Sequence, residues 1–504
     1  MPLAKALSIS LFGLAGRLIE IEADISSNLP AFVLVGLPDA SVNESASRVR
    51  AATTNSQLNL PGRRITVNLS PASVPKQGSG FDLGIAMAVL GAAGLVNKAK
   101  LTNTVFLGEL ALDGTIKPIT GVLAAVIAAS ALEIEHVVVP FSNLAEAKLV
   151  TGVNVSGFSH LTQVAAAFGA SINPQPVAEE SVGECSIEQT ELCFSDVVGQ
   201  PDAIEALKVA AVGGHNVLMY GPPGAGKTML ASRLPGILPH LNEEEAIELC
   251  AIRSVAKMEV NRLSTTPPFQ APHHTASLVS MVGGGGSQPR PGLISLAHNG
   301  VLFLDEAPEF QSSVLESLRQ PLESGNITIS RAAGHAKFPA RFQLVLAANP
   351  CPCGHAVGSG KECTCSASAR LKYQNRISGP LSDRLDLRME LNAVNAALVN
   401  SETKGLTSQE IRKLVTNARK ASLDRLSKTN WRTNAQVPGS YLRRELRLGR
   451  AITAQLDVAL DRNLISMRGY DRCLRVAWSI CDLGGGTSPS RDDLATAVFL
   501  RGNE

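Results

Sequence analysis

No apolar run in this sequence of 504 residues reaches the length of about 20 residues that a bilayer-spanning helix needs. The longest, around 84–95 and 121–134, read as buried helices and predict no membrane partner. The chain also lacks a charged N-terminus followed by an apolar stretch and a cleavage site, so nothing directs export. Charge of one sign is missing too: 46 Lys and Arg face 44 Asp and Glu, a formal net charge of +2 that by itself implies no polyanionic partner. Nine cysteines, an odd number spread along a chain without a leader, argue against a disulfide framework and for reduced thiols. The expected location is cytoplasmic. Internal repeats are absent, and the Gly283–Gly286 run reads as a short flexible loop.

What is present is length enough for two or three domains with full cores. Residues 1–172 alternate β-rich runs (Ala31–Gly36, Arg64–Leu69, His136–Pro140) with Ala-rich helical patterns, which predicts an α/β or α+β domain. Residues 173–193 lose periodicity and gain Pro, Ser and Glu, as a linker does. A second α/β block covers 194–392. Over 393–504 amphipathic helices with Arg and Lys on their polar face replace the strands. From Lys404 to Arg475 there are sixteen Lys or Arg and six Asp or Glu, a surplus of ten. Nucleic acid is one reason for such a region and a solvated helical surface the other.

The sharpest signal is GPPGAGKT at 221–228, preceded by the strand-like NVLMY and followed by the helical MLASRL. In G-x-x-x-x-G-K-[ST], glycines let backbone N–H groups face phosphate oxygens, a lysine reaches the outer phosphates and a hydroxyl ligates Mg²⁺. Gly221, Pro222, Pro223, Gly224, Ala225 and Gly226 would shape that cradle, Lys227 would contact phosphate, Thr228 would hold the metal, and Met229 would open the helix. A second element, VLFLDE at 301–306, fits a buried parallel strand delivering two acids to its C-terminal edge. Asp305 would bind Mg²⁺ through water and Glu306 would polarise the attacking water, since phosphoryl transfer is catalysed mostly by positioning and charge stabilisation. Gln343–Ala348 reads as a further strand ending at Asn349, whose amide either orients that water or simply opens a turn.

Several stretches together, FSDVVGQ at 194–200, GGHNVLMYGPPGAGKT at 213–228, APHHTASLVSMVGGG at 271–285, LAHNGVLFLDE at 296–306, LRQPLESG at 318–325, AANPCPCG at 347–354 and SGPLSDRLDL at 378–387, resemble the magnesium-chelatase-like AAA+ ATPases of the ComM/YifB family. That resemblance spans essentially the whole chain. It implies ATP and Mg²⁺ as cofactors, a ring, expected as a homohexamer, and ATP at subunit interfaces. Arg384 in SDRLDL matches the arginine that a neighbour supplies in trans, although a pairing with Asp383 or Asp386 would also account for it. Arg468 in ISMRGYDRCLR resembles the sensor that reads the γ-phosphate, with Arg472 and Arg475 one and two turns on as alternatives. The implied activity is branch migration of three- or four-strand DNA junctions in homologous recombination and natural transformation. A chelatase-like remodeller with no nucleic-acid track is the alternative.

KQGSGFDLGIAMAVL at 76–90 and GELALDGTIKPITGVLAAVIAASALEIEHVVVP at 108–140 resemble the Lon-protease domain, whose fold recurs as a module of the ribosomal S5 domain 2 type. Asp82 and Ala125 stand where that protease has its nucleophilic serine and activating lysine, and neither can do that chemistry. A binding or ring-assembly platform is expected instead. In the insertion at 351–365, Cys351, Cys353, Cys363 and Cys365 could make a tetrahedral zinc site, with His355 as a substitute for one thiol; clustered free thiols are the other reading. Two segments could touch DNA: 272–291, which resembles a pore-facing insert, and Gly334–Lys337, read as a hairpin turn joining Ile327–Arg331 to Phe338–Val345 and presenting Lys337. His273 and His274 invite a metal, but adjacent side chains point apart, so a structural or nucleotide-switch role is preferred. Leu293 and Trp478 depart from the family pattern, which has Glu and Arg there.

Overall fold

The computed structural model describes residues 3–502 except 38, 77, 177–191, 287, 332–333, 357–362, 378 and 393–404. Most of the linker predicted at 173–193, the middle of the cysteine-rich insertion and the boundary at 392/393 lie outside the described residues.

In the N-terminal domain, alternating buried and exposed residues over Leu3–Phe12 (β1) and Ala15–Ser26 (β2) form a long antiparallel hairpin from Leu3↔Asp24 to Phe12↔Ala15. Strands Ala31–Val35 (β3), Arg64–Ser70 (β4) and Thr104–Phe106 (β5) follow, then the small hairpin Glu109–Leu110 (β6) and Ile116–Lys117 (β7), then His136–Pro140 (β8) and Asn154–Phe158 (β9). Seven of these make one mixed sheet in the order β3-β4-β2-β1-β5-β8-β9. The two apolar runs of the sequence are the helices Asp82–Ala92 and Val122–Ala131. Each helix seals a separate apolar cluster with this sheet, the first over Ile19, Ile21 and Val67, the second over Ile9, Val105 and Val137.

The second domain carries Val217–Tyr220 (β10), Phe269–Gln270 (β11), a short hairpin of Gly283–Gly284 (β12) and Arg290–Pro291 (β13), Val301–Leu304 (β14), a longer hairpin of Asn326–Arg331 (β15) and Gly334–Pro339 (β16), Gln343–Ala348 (β17) and Leu387–Glu390 (β18). Five form a parallel sheet in the order β11-β14-β17-β10-β18. β14 and β17 are buried along their whole length, as their apolar sequences require. β10 is flanked by β17 and β18 rather than by its neighbour in sequence, so the strand order reverses there and a crevice opens at its carboxyl end.

Two local expectations change. The Gly283–Gly286 run is partly ordered, because β12 pairs with β13. Gly334 and Lys337 belong to strand β16, where Lys337 pairs with Thr328 and is exposed, and β16 ends at Pro339. Arg331 donates from Nε to the Gly285 carbonyl (3.2 Å), joining the two hairpins.

Beyond β18 the described elements are helical: Ser408–Arg425, Gly439–Arg444, Arg450–Asp461, Met467–Leu483 and Arg491–Arg501. Ile411, Val415, Cys473 and Ala477 share one apolar cluster with Leu207, Ala210 and Leu234 of the P-loop domain. Two arginines of the basic region clamp this contact and a third ties two of its own helices together. Half-buried Arg419 donates to the Ala211 carbonyl (2.9 and 2.7 Å), Arg412 to that of Gly236 (2.8 Å), and Arg425 pairs with Asp482 (2.5 Å) while its guanidinium covers the Trp478 ring at 4.2 Å. These arginines serve packing, so their charge calls for no polyanion.

The N-terminal domain is docked rather than tethered. Leu123 and Ala124 pack against Cys250 and Ala251, while Phe12 and Leu14 at the tip of the first hairpin join the cluster that holds Ile329 and Phe338. Among the described residues no helix is long and apolar enough to cross a membrane.

Candidate nucleotide site

The turn after β10 leads directly into the helix Lys227–Ile237, so the free N–H groups of its first turn face the crevice. Gly224 (φ +77°) and Gly226 (φ +87°) hold left-handed backbone that side chains rarely adopt, and a Cβ on Gly224 would meet nothing within 4 Å. The cradle is therefore open and shaped by glycine. Lys227 is folded into it, with Nζ donating to the carbonyls of Gly221 (2.7 Å) and Pro222 (3.0 Å) and to Oδ1 of Asn349 (3.0 Å). Burial lowers the Lys227 pKa, against the upward pull of Asp305 and Glu306. An anion in the cradle would favour the charged amine. Ala225 is buried, and Met229 packs its side chain on the core cluster, so Met229 lends the site only its backbone.

β14 delivers the two acids as its sequence requires. Thr228 donates from Oγ1 to Asp305 Oδ2 at 2.6 Å, which brings together the two groups expected to hold Mg²⁺. A hydroxyl and a carboxylate beside an open cradle are hard oxygen donors that suit a phosphate-bound Mg²⁺. Glu306 adopts a left-handed conformation (φ +50°) uncommon for a non-glycine residue, and its carboxylate meets His274 Nδ1 at 3.3 Å. Sequence periodicity carries no signal for this contact. The rings of His273 and His274, expected to point apart, pack 4.1 Å apart instead, with His273 bonded to Thr275 (2.8 Å). Neither belongs to a potential metal cluster among the described residues.

The two arginines lie elsewhere. β18 runs parallel to β10 with Val217 opposite Leu387 and Tyr220 opposite Glu390. Arg384 precedes the start of β18, while the 221–228 turn follows the end of β10. They sit at opposite edges of the sheet, a strand length of roughly 13 Å apart. Asn216 fixes the far edge by donating to the Arg384 carbonyl (2.9 Å). The Arg384 guanidinium pairs with Glu323 and donates to the Pro380 carbonyl, rather than to Asp383 or Asp386, the alternative to a trans role. Those aspartates pair with Arg468 (3.5 Å) and Arg472 (3.4 Å) respectively. Of the three sensor candidates, Arg472 is buried and Arg475 donates to the Val437 carbonyl (2.7 Å), while Arg468, paired with Asp383, keeps 71% of its side chain exposed.

In the N-terminal domain Asp82 is fully buried and takes Nε of Arg48 (2.6 Å), Nη2 of Arg48 (3.1 Å) and the Leu110 N–H (3.1 Å). Ala125 is buried in the helix facing the sheet. Ser79 donates to Glu109 and buried Lys76 to the Pro71 carbonyl, so the nearby hydroxyl and amine are not paired with each other.

Comparison with known proteins converges on one group. Family models described as magnesium chelatase subunit ChlI match residues 193–399, as subunit ChlI of Mg-chelatase residues 21–143, and as the ChlI C-terminal part residues 405–501. An uncharacterised protein of Mycobacterium tuberculosis is 47% identical over 503 residues, 99% of each chain. The competence protein ComM of Haemophilus influenzae is 41% identical over 506 residues, 99% of this chain and 98% of that one. The uncharacterised protein YifB of Salmonella typhimurium is 39% identical over 505 residues, 99% and 97% of the two chains. Membership of this group implies ATPase chemistry with ATP and Mg²⁺. With a phosphate cradle, two acids at a strand end and relatives matched along nearly their whole length, the chain belongs to the ComM/YifB family of magnesium-chelatase-like AAA+ ATPases.

Proposed function

We propose that this chain is an ATP-driven DNA motor, a cytoplasmic homohexameric ring that moves the branch point of three- or four-stranded DNA in recombination and natural transformation. The observation that carries it is the division of the site: Lys227, Thr228, Asp305, Glu306 and Asn349 gather at one edge of the sheet, Arg384 and Arg468 at the other. Within one chain Arg384 and Arg468 lie at the far end of the strands from its own loop, whereas a neighbour in a ring could offer both. In this reading Lys227 binds the outer phosphates, Glu306 polarises water, Asn349 positions Lys227 and that water, and the neighbour's Arg384 stabilises the charge that develops. Mg²⁺ held by Thr228 and Asp305 would neutralise phosphate charge, and a structural zinc on Cys351, Cys353, Cys363 and Cys365 completes the cofactor set. The name of the Haemophilus influenzae relative supports competence as the setting. Exposed Arg290, Arg331 and Lys337 on the two joined hairpins supply cations for a DNA backbone.

The test is branch migration on a synthetic four-way junction. Wild type should migrate it, and Lys227→Ala and Glu306→Gln should not, with Glu306→Gln still binding ATP because only water activation is removed. The descriptions of the matching family models favour a second reading, a remodeller of a protein or metal-insertion partner. An ATPase rate unmoved by single-stranded or forked DNA, with no salt-sensitive binding, would select it.

A further inference from the structure

The nucleotide chemistry leaves four thiols unused. Cys351 and Cys353 at one end of a loop and Cys363 and Cys365 at the other bring their sulfurs within 4.8 Å of one another. The separations are 3.3 Å for Cys351 and Cys353, 3.6 Å for Cys351 and Cys363, and 3.7 Å for Cys353 and Cys363. All four are free thiols, far from the roughly 2.05 Å of a disulfide. Thiols bond one another too weakly to be gathered for that alone. Four thiolates about 2.3 Å from one ion form a tetrahedron with edges of about 3.8 Å, close to these spacings. The gap suits a single ion and has no room for a cluster of irons and sulfides. His355 is not part of the group, so the donor set is all sulfur, and an all-sulfur tetrahedron with room for one ion suits zinc.

The place of the cluster matters more than its composition. β17 ends at Ala348, Asn349 accepts the Lys227 amine, and two residues later Cys351 is fully buried. The Gly354 N–H then turns back onto the Cys351 carbonyl (3.0 Å). Gly354 has φ +81°, and a Cβ there would lie 2.7 Å from Cγ and Cδ of Pro223. The knuckle backbone thus rests on the phosphate loop. From the other side Gln374 donates to the Pro350 carbonyl (3.4 Å).

We propose that Cys351, Cys353, Cys363 and Cys365 form a closed tetrathiolate zinc site whose knuckle buttresses Pro223 and Asn349, so that nucleotide affinity depends on metal occupancy. The buttress rests on the nucleotide reading of residues 221–228; the metal site does not. Loss of the ion frees the segment after Asn349, and the Lys227 amine loses one of the three acceptors that hold it in the cradle.

The experiment measures metal per chain by mass spectrometry and affinity for a fluorescent ATP analogue by titration, on the full-length protein. The wild type should carry one zinc per chain and take up cobalt with a thiolate charge-transfer band. Cys363→Ser should lose both, and Lys227→Ala should keep both. Chelator-stripped wild type should bind the analogue about 10–100-fold more weakly, the usual scale for losing support around a site, and recover on adding zinc. Gly354→Val keeps every sulfur and wedges the knuckle off Pro223; it should retain zinc and lose the same affinity. A metal-free wild type, or a zinc content indifferent to Cys363→Ser, overturns the metal site. Equal affinity in stripped, loaded and Gly354→Val protein overturns the buttress. Loaded wild type that binds no nucleotide sinks the reading of the 221–228 turn and the buttress with it, while the thiolate site stands.

Discussion

Asp82 in the N-terminal domain and the pair Asp305 and Glu306 in the P-loop domain are carboxylates at motif positions, and their surroundings give them opposite uses. Asp82 opens a helix whose eleven residues are all buried, and donors from Arg48 and Leu110 occupy it. Burial raises its pKa while the guanidinium of Arg48, on the helix Ala40–Asn55, opposes that rise, as in an ion pair built to hold one helix against another. Asp305 and Glu306 stand at the open end of a strand, with partners, Thr228 and His274, that can be exchanged for a ligand. A motif position thus says which atoms are present, and access decides whether they react.

The largest effect should come from the group farthest from the carboxylates. Arg384→Ala is expected to lower ATP hydrolysis by about 10³–10⁵-fold, the scale of an arginine finger. Mixed rings sharpen this: Arg384→Ala and Lys227→Ala subunits are each inactive, yet together they create interfaces in which both residues are intact, and a steady-state assay should recover part of the rate. No recovery on mixing removes the trans role. Next in size, Glu306→Gln should cost about 10²–10⁴-fold in hydrolysis, the range for general acid–base work, with affinity for ATP kept. If Asp82→Asn lowered turnover as much, the contrast between the two regions would collapse.

Asp82→Ala should act on stability instead. Removing Asp82 takes its fully buried partner from Arg48, which keeps Glu44, Ser45 and the Ser41 carbonyl, so the loss is at most about 3–5 kcal/mol. Chemical denaturation should therefore shift strongly for Asp82→Ala, while ATP hydrolysis per folded ring stays near the wild-type rate. A turnover defect at full folding would mean that the N-terminal domain takes part in the chemistry.

The layered fold was legible where local pattern and burial coincide. The apolar runs at 84–95 and 121–134 became helices, and VLFLDE and the run ending at Asn349 became the two buried strands on one side of the phosphate loop. Glycine spacing told where the cradle lies because the backbone conformation itself demands glycine. Illegible were contacts between distant segments: Glu323 on Arg384, His274 on Glu306, Gly354 against Pro223. No periodicity encodes them, since each depends on how elements meet in space. The basic C-terminal region divides in a way no periodicity encodes: Arg412, Arg419 and Arg425 spend their charge on carbonyls and Asp482 inside the fold, while most of the other cations stay exposed.

His274 carries the smallest expected effect and the finest form of the contrast. Its ring holds Glu306 in a backbone conformation that costs energy, and it belongs to the segment that leads into the β12–β13 hairpin and so to the exposed cations. A half-exposed contact of this kind is worth about 1 kcal/mol, which limits the change in rate to roughly fivefold. His274→Ala should therefore raise hydrolysis without DNA a few-fold, by freeing the carboxylate to turn toward the phosphates, and should flatten the stimulation that DNA gives. Measuring basal and DNA-stimulated rates on one preparation separates this from plain damage, which would lower both together and leave their ratio unchanged. A lowered basal rate with the ratio intact would make His274 a positioning residue for Glu306 in the working state, and the resting latch would have to be abandoned.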